Sequence, residues 1–276
     1  MRLGGNVYDK WETPEQWVDA VRRLGYRAAY CPVAPDASEK LIEACASAAR
    51  EADIVIAEVG AWSNPLSPNP ATRDKALHKC KSALALADRI GARCCVNIAG
   101  SRGEKWDGPC ALDMATETFD MIVTVVREII DEVKPTRSFY TLETMPWMYP
   151  DSADSYLALV EAIDRTALGV HFDPVNLISS PQRYFRNGDI IREFVEKLGH
   201  LIKSCHAKDI LLGTGLTVHL DEVRPGLGGL DYQTYLRAVA ELGDIPLMIE
   251  HLPNAQEFAA AADHIRRVAR QEGIGL

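Results

Sequence analysis

Four residues of this 276-residue chain have the chemistry of ligands for a divalent cation: Glu143 in FYTLETMPW, Asp173 in GVHFDPVN, His206 in IKSCHAKD and Glu250 in PLMIEHL. Each closes an apolar run, about one strand-plus-helix unit after the one before. A parallel barrel gathers such strand ends at one mouth. Three carboxylates and one imidazole meeting there form an oxygen-rich site suited to Mn²⁺, with Mg²⁺, Co²⁺ or Zn²⁺ compatible with the same donors. Taken singly, each residue reads more simply as a solvated carboxylate or a packed histidine. Taken together, in the apolar settings TLE, HFD, SCH and MIE, three buried carboxylates without a cation would be costly. No cysteine joins the set, which argues against a structural zinc site.

Strand side chains alternate in direction. If Asp173 points into a barrel, His171 does too, one step deeper, where it can hydrogen-bond a ligand carboxylate. If His206 points inward, so does Lys208, one step nearer the mouth, where it would either polarise a substrate oxygen or pair with Asp209. Asn176 would bind a substrate hydroxyl or close the turn after Pro174. Trp147 offers an aromatic face to a sugar ring or anchors a loop, as do Trp62 and Trp106. The run RPGLGGLD (224–231) reads as a turn capped by Asp231 ahead of a helix rather than as a phosphate cradle, and Arg224 serves either a substrate anion or an internal ion pair. His251, next to Glu250, is expected on the opposite side of its strand, in packing.

The elements that must position these groups alternate along the chain. Strand-like runs cover 3–8, 26–32, 54–60, 94–100, 138–145, 167–174, 201–208 and 246–252, with amphipathic helical segments between them. Thr13-Pro14, Asp36 and Asp151-Ser152 carry helix-start chemistry, and Gly25, Gly91, Gly199 and Gly243 mark exits. Eight βα units without a composition break predict one domain over 1–276, a single (β/α)8 TIM barrel in the α/β class. A doubly wound open sheet is the competitor, but it would place its signature in a glycine-rich first turn, not at successive strand ends. Residues 61–70 and 101–110 follow strands 3 and 4, so they should wall the catalytic face.

Composition sets outer bounds. With 47% apolar residues the chain can bury a large core, and a net charge of −9 argues against a nucleic-acid groove. Seven cysteines, an odd number with no CxxC pair, read as reduced thiols in a cytoplasmic protein. No signal peptide is visible at the start, and no apolar run approaches the ~18 residues a membrane span needs. The expected partner is therefore a small carbohydrate, with no nucleic acid and no membrane; assembly as a homo-oligomer stays open.

The four ligand segments, ALADRIGAR before strand 4 and PGLGGLDY before a late helix together resemble the xylose isomerase-like TIM-barrel superfamily, nearest the sugar phosphate isomerase/epimerase group that includes the ketose 3-epimerases. The resemblance covers most of the chain and marks fold more strongly than substrate. It implies one divalent cation held by Glu143, Asp173, His206 and Glu250, with Glu143 and Glu250 also exchanging protons with the substrate. The sugar-contacting residues depart from the epimerase pattern: Tyr149 stands for a second Glu, Asn176 for a His and Leu212 for an Arg. The resemblance thus implies an isomerase or epimerase of a keto sugar, sugar phosphate or sugar derivative acting through an enediolate. The alternatives are a lyase that dehydrates or deglycosylates a 3-keto sugar, and a non-catalytic sugar-binding subunit.

Overall fold

A computed structural model describes residues 1–276. The strands are β1 (Arg2–Gly4), β2 (Ala28–Tyr30), β3 (Val55–Gly60), β4 (Cys94–Asn97), β5 (Phe139–Glu143), β6 (Leu168–Phe172), β7 (Ile202–Ala207), β8 (Asp209–Leu212), β9 (Leu220–Val223) and β10 (Pro246–Ile249). Eight of them close a parallel barrel in the order β1-β10-β7-β6-β5-β4-β3-β2, and β8 and β9 form a separate antiparallel hairpin. The TIM barrel of the α/β class is therefore the architecture. The open-sheet alternative fails because β1 pairs with both β2 and β10.

Nine α-helices surround the barrel: α1 (Pro14–Arg23), α2 (Glu39–Glu51), α3 (Pro70–Ile90), α4 (Thr116–Val133), α5 (Ala153–Ile163), α6 (Pro181–Phe185), α7 (Asn187–Leu198), α8 (Tyr232–Glu241) and α9 (Ala255–Gln271). Local chemistry sets their ends. The Thr13 side chain accepts from Gln16 N with Pro14 in the first turn, and Ser152 and Ser155 form a reciprocal capping box at α5. Ser38, not the expected Asp36, caps α2. Gly25, Gly91 and Gly243 adopt positive φ at helix exits. Gly199 does not; it has φ −53° and continues into a short 3-10 turn.

Most sequence-based strands run past the C-terminal ends of the barrel strands into turns, whereas the third ends with β3 at Gly60. The hairpin β8–β9 is absent from the expected elements. It follows β7 after the single residue Lys208, and Glu222 of β9 reaches the cavity at the mouth. One large connected core of buried aliphatic and aromatic residues fills the helix–strand layer, a small separate cluster of Ala28, Ala57 and Met248 lies on β2, β3 and β10, and all seven cysteines are free thiols, five of them buried. No helix is long and apolar enough to cross a membrane.

Candidate active site

The four residues converge. Glu143 ends β5, Asp173 follows β6, His206 is the penultimate residue of β7, and Glu250 follows β10. One donor atom from each lies within 4.8 Å of the others. His206 Nδ1 is the centre of the group, 2.8 Å from Glu250 Oε1, 2.9 Å from Glu143 Oε1 and 3.8 Å from Asp173 Oδ2. Asp173 divides its oxygens. Oδ1 accepts from Val175 N and Asn176 N at 2.9 and 3.3 Å, so the turn after β6 fixes the carboxylate and turns Oδ2 toward the cluster.

The backbone beneath is held by buried hydroxyls. From α8, Tyr235 donates to His206 O and Tyr232 to Lys208 O, both at 2.7 Å. Thr144 donates to Asp173 O at 2.8 Å. The ligand ends of three strands are thus tied to packed neighbours, which limits how far the donors can spread.

Lys208 enters the same cluster. Its Nζ lies 2.6 Å from Glu250 Oε1, 2.8 Å from Asp173 Oδ2 and 3.5 Å from Glu143 Oε1. It does not pair with Asp209, which points away and accepts from four backbone N–H groups, those of Ile210, Gly226, Gly228 and Leu230. The glycine-rich run therefore wraps an internal carboxylate. At Gly228 an added Cβ would stand 2.3 Å from Ile210 O and 2.4 Å from Asp209 Oδ1, so only glycine fits there. Asp231 caps α8 by accepting from Thr234 N at 3.0 Å.

Sequence reasoning missed Glu58 on β3, which is 1% exposed and lies below the cluster. Its Oε2 is 3.4 Å from His206 Nε2, and its Oε1 accepts from Ser204 and lies 3.6 Å from His171 Nδ1. Both ring nitrogens of His206 are thereby assigned: Nε2 faces Glu58 and Nδ1 faces the ligand carboxylates. The available signal was a lone charged residue within the otherwise apolar run IVIAEVG.

Burial and mutual charge set the protonation preferences. Burial pushes the Glu143 carboxyl up to about 7 against the pull of Lys208 and His206. Burial also opposes ionisation of Asp173 and Glu250, but Lys208 and His206 overcome it and hold both well below the usual carboxylate range. His206, despite its burial, is held well above the usual imidazole range by Glu250, Glu58 and Glu143. Burial first, then the neighbouring His206, pushes His171 down to about 4, so it is a neutral ring.

Above the cluster opens a cavity of about 700 Å³. Glu143, Asn176, Lys208, Glu250 and Trp147 all line it, as do Trp62 and Trp106 from the two long loops. Asn176 Nδ2 donates to Glu143 Oε1 at 3.2 Å. The Trp147 indole donates to Asp107 O at 3.0 Å, joining the loop after β5 to the loop after β4. Two of the expected substrate contacts fall elsewhere. His171 is fully buried beneath the ligands, its ring 4.1 Å from that of His206, and has no path to the cavity. Arg224 is absent from the lining and pairs with Glu257 at 2.9 Å. His251, expected in packing, lines the cavity instead, 3.1 Å from Glu222 of β9. The two-residue alternation fails for it because β10 has ended and His251 takes φ +58°.

The donor set fits a divalent cation. Asp173 Oδ2 and Glu250 Oε1 are buried yet accept no hydrogen bond; Lys208 and His206 approach them outside hydrogen-bonding angles. Such oxygens, converging with a third carboxylate and an imidazole nitrogen, match the preferences of Mg²⁺ or Mn²⁺.

The chain belongs to the xylose isomerase-like TIM-barrel family, whose model matches residues 18–268. Solved structures share the fold over nearly the whole chain at low identity. The D-psicose 3-epimerase of Clostridium cellulolyticum H10, solved with D-tagatose, is 17% identical with a TM-score of 0.67, over 97% of this chain and 99% of that one. The probable 3-DHS dehydratase AsbF of Bacillus anthracis is 15% identical with a TM-score of 0.71, over 98% and 99%. A xylose isomerase-like TIM-barrel protein from Mycobacterium smegmatis, in complex with magnesium, is 17% identical with a TM-score of 0.66, over 96% and 90%. No curated protein matches by sequence.

Proposed function

We propose that this protein is a divalent-metal-dependent isomerase or epimerase acting on a keto sugar or a derivative of one through an enediolate. The observation that carries this reading is the convergence of Glu143, Asp173, His206 and Glu250 at the floor of a cavity walled by indole rings. A divalent cation held by these four would polarise a carbonyl and its neighbouring hydroxyl, acidifying the carbon between or beside them. Mn²⁺ is the expected ion.

The chain's own groups supply the proton traffic. Glu143 and Glu250 flank His206 from β5 and β10, with two strands between them in the barrel. One of the two takes the proton from the substrate carbon and the other delivers a proton to it, giving epimerisation. Delivery to the adjacent carbon instead gives aldose–ketose isomerisation. Lys208 holds a substrate oxygen and balances the negative charge that develops. Asn176 orients Glu143. The tryptophans exclude water and offer flat apolar faces to the ring of a sugar.

The lyase reading is favoured by one separate observation, the Glu222–His251 pair beside Glu250. A protonated imidazole there can give its proton to an oxygen leaving from the carbon β to the carbanion. Incubation with a panel of keto sugars in D₂O separates the readings. Exchange yields deuterated sugar; elimination yields an unsaturated or fragmented product. Glu250→Gln should abolish exchange and lower metal content by elemental analysis. Wild-type exchange in that variant would remove the assignment.

A further inference from the structure

A second cavity, of about 690 Å³, lies at the opposite end of the barrel, among the strand starts. Its walls come from the C-terminal ends of α2 and α3, the first residues of β3, β5 and β7, and the residues just before β4 and β10. The floor is apolar, with Ile54, Ile56, Ile202 and Phe139. The polar lining is entirely basic: Arg50, Arg93, Arg137, His200 and Lys203, with no aspartate or glutamate. In a chain of net charge −9 this concentration of one sign is not an average of the surface.

Not all of these cations are free. Arg50 pairs with Glu43 at 3.0 Å, and Arg137 donates to the carbonyls of Asp88 and Arg89 at the end of α3, the usual complement of a helix C-terminus. Lys203 differs. The β6–β7 ladder shifts register here: Val170 pairs with Ile202, but His171 pairs with Ser204, which leaves Lys203 as the extra residue of a bulge. Bulges re-aim side chains. This one lays the Lys203 stem across Gly169, where a Cβ would meet Lys203 Cγ at 2.6 Å, and sets its ammonium 4.0 Å from the centre of the Phe139 ring. No carboxylate pairs with it. Burial and the nearby Arg93 push its pKa down, the expected state of an ammonium with no anion beside it. Arg93 commits one nitrogen, Nη2, to Asp244, donating to its carbonyl and to Oδ2 at 3.3 Å each, while Arg2 holds the same carboxylate at 2.6 Å; Arg93 Nε and Nη1 donate to no protein group.

We propose that this lower cavity is a binding site for a small organic anion that carries a phosphate on an apolar or aromatic body, with Lys203 and Arg93 holding the phosphate and the Ile–Phe floor holding the body. The site lies at the far end of the barrel from the cation cluster, so its ligand is not the substrate proposed above but a separate effector or a second bound metabolite. The inference does not depend on which reaction the mouth performs.

The probe is 1-naphthyl phosphate, titrated by isothermal calorimetry and by protein NMR, with 1-naphthol and inorganic phosphate as half-ligands. Saturable binding at one site is expected for the complete probe, with each half binding much more weakly. Lys203→Gln and Arg93→Gln should each weaken it about tenfold, the loss of one charge-assisted hydrogen bond. Glu250→Gln, at the other mouth, should leave it unchanged. Mn²⁺ binding to Lys203→Gln at the wild-type level shows that this variant is folded. Absence of saturable binding, equal affinity in both lower-mouth variants and the wild type, or loss of binding in Glu250→Gln would each overturn the proposal.

Discussion

Glu58 Oε2 lies 3.4 Å from His206 Nε2, so the one imidazole of the ligand set is gripped from beneath by a carboxylate while its other nitrogen looks up at Glu143 and Glu250. This arrangement fixes the ring's orientation and makes it a better donor. Ser204, bonded to the other oxygen of Glu58, keeps that carboxylate in place.

Glu58→Gln should therefore weaken metal binding by about 10–100-fold without changing which residues coordinate. A Mn²⁺ titration followed by EPR measures the affinity, and the ¹⁵N shifts of the His206 ring report the altered tautomer. Unchanged affinity together with unchanged ring shifts would reduce Glu58 to a packing residue.

Metal affinity should climb with pH. In the cation-free protein Glu143, raised by burial to about 7, holds a proton below that pH, whereas a ligand carboxylate must be ionised. His206, raised well above its ordinary value, must also give up a proton before Nδ1 can donate to a metal. Below pH about 7 each unit of acidification should cost about tenfold in affinity for each proton displaced, with the rise continuing above neutrality until His206 has titrated. Calorimetric Mn²⁺ titrations in buffers of different ionisation enthalpy count the released protons. A flat profile from pH 6 to 8 with no proton release would contradict the assigned environments.

Asp209 holds the glycine-rich loop by four backbone N–H groups while itself 2% exposed. Asp209→Ala would leave four backbone donors without their acceptor, those of buried Ile210 and Leu230 among them, at a cost of about 3 kcal/mol. Thermal unfolding should show a fall of several degrees, with Asp209→Asn intermediate because one acceptor oxygen remains. An unshifted midpoint in Asp209→Ala would show that water replaces the carboxylate at no cost.

Much of this was legible in the chain. The convergence of Glu143, Asp173, His206 and Glu250 could be read because each is a polar residue placed where an apolar strand stops, and strand ends in a parallel barrel share one mouth. The inward direction of Lys208 followed from alternation, but its partner did not: Asp209, adjacent in sequence, faces the other way, and Asp173 and Glu250 come from other strands. Alternation misled at His251 because it was carried one residue past the end of β10, where a positive φ swings the ring back to the cavity. The hairpin β8–β9 went unread because its strands DILL and LDEV are only four residues each, too short to show an alternation, and β8 follows β7 after a single residue, so its apolar content merges with that strand. Arg224 illustrates a limit of a different kind. Its partner Glu257 is 33 residues away, and nothing local distinguishes an arginine that meets an anion from one that meets a helix.

The cation donors come from β5, β6, β7 and β10, whereas Tyr30, Val33, Pro35, Trp62 and Trp106 of the cavity wall come from segments that follow β2, β3 and β4 or end them. The wall is shared: Trp147, Asn176 and His251 face the cavity from the half that carries the four converging donors, while the first half adds loops that bear none of them. Those first-half loops can therefore vary in length or composition without displacing a donor atom, which leaves the shape of the cavity freer to change than its floor.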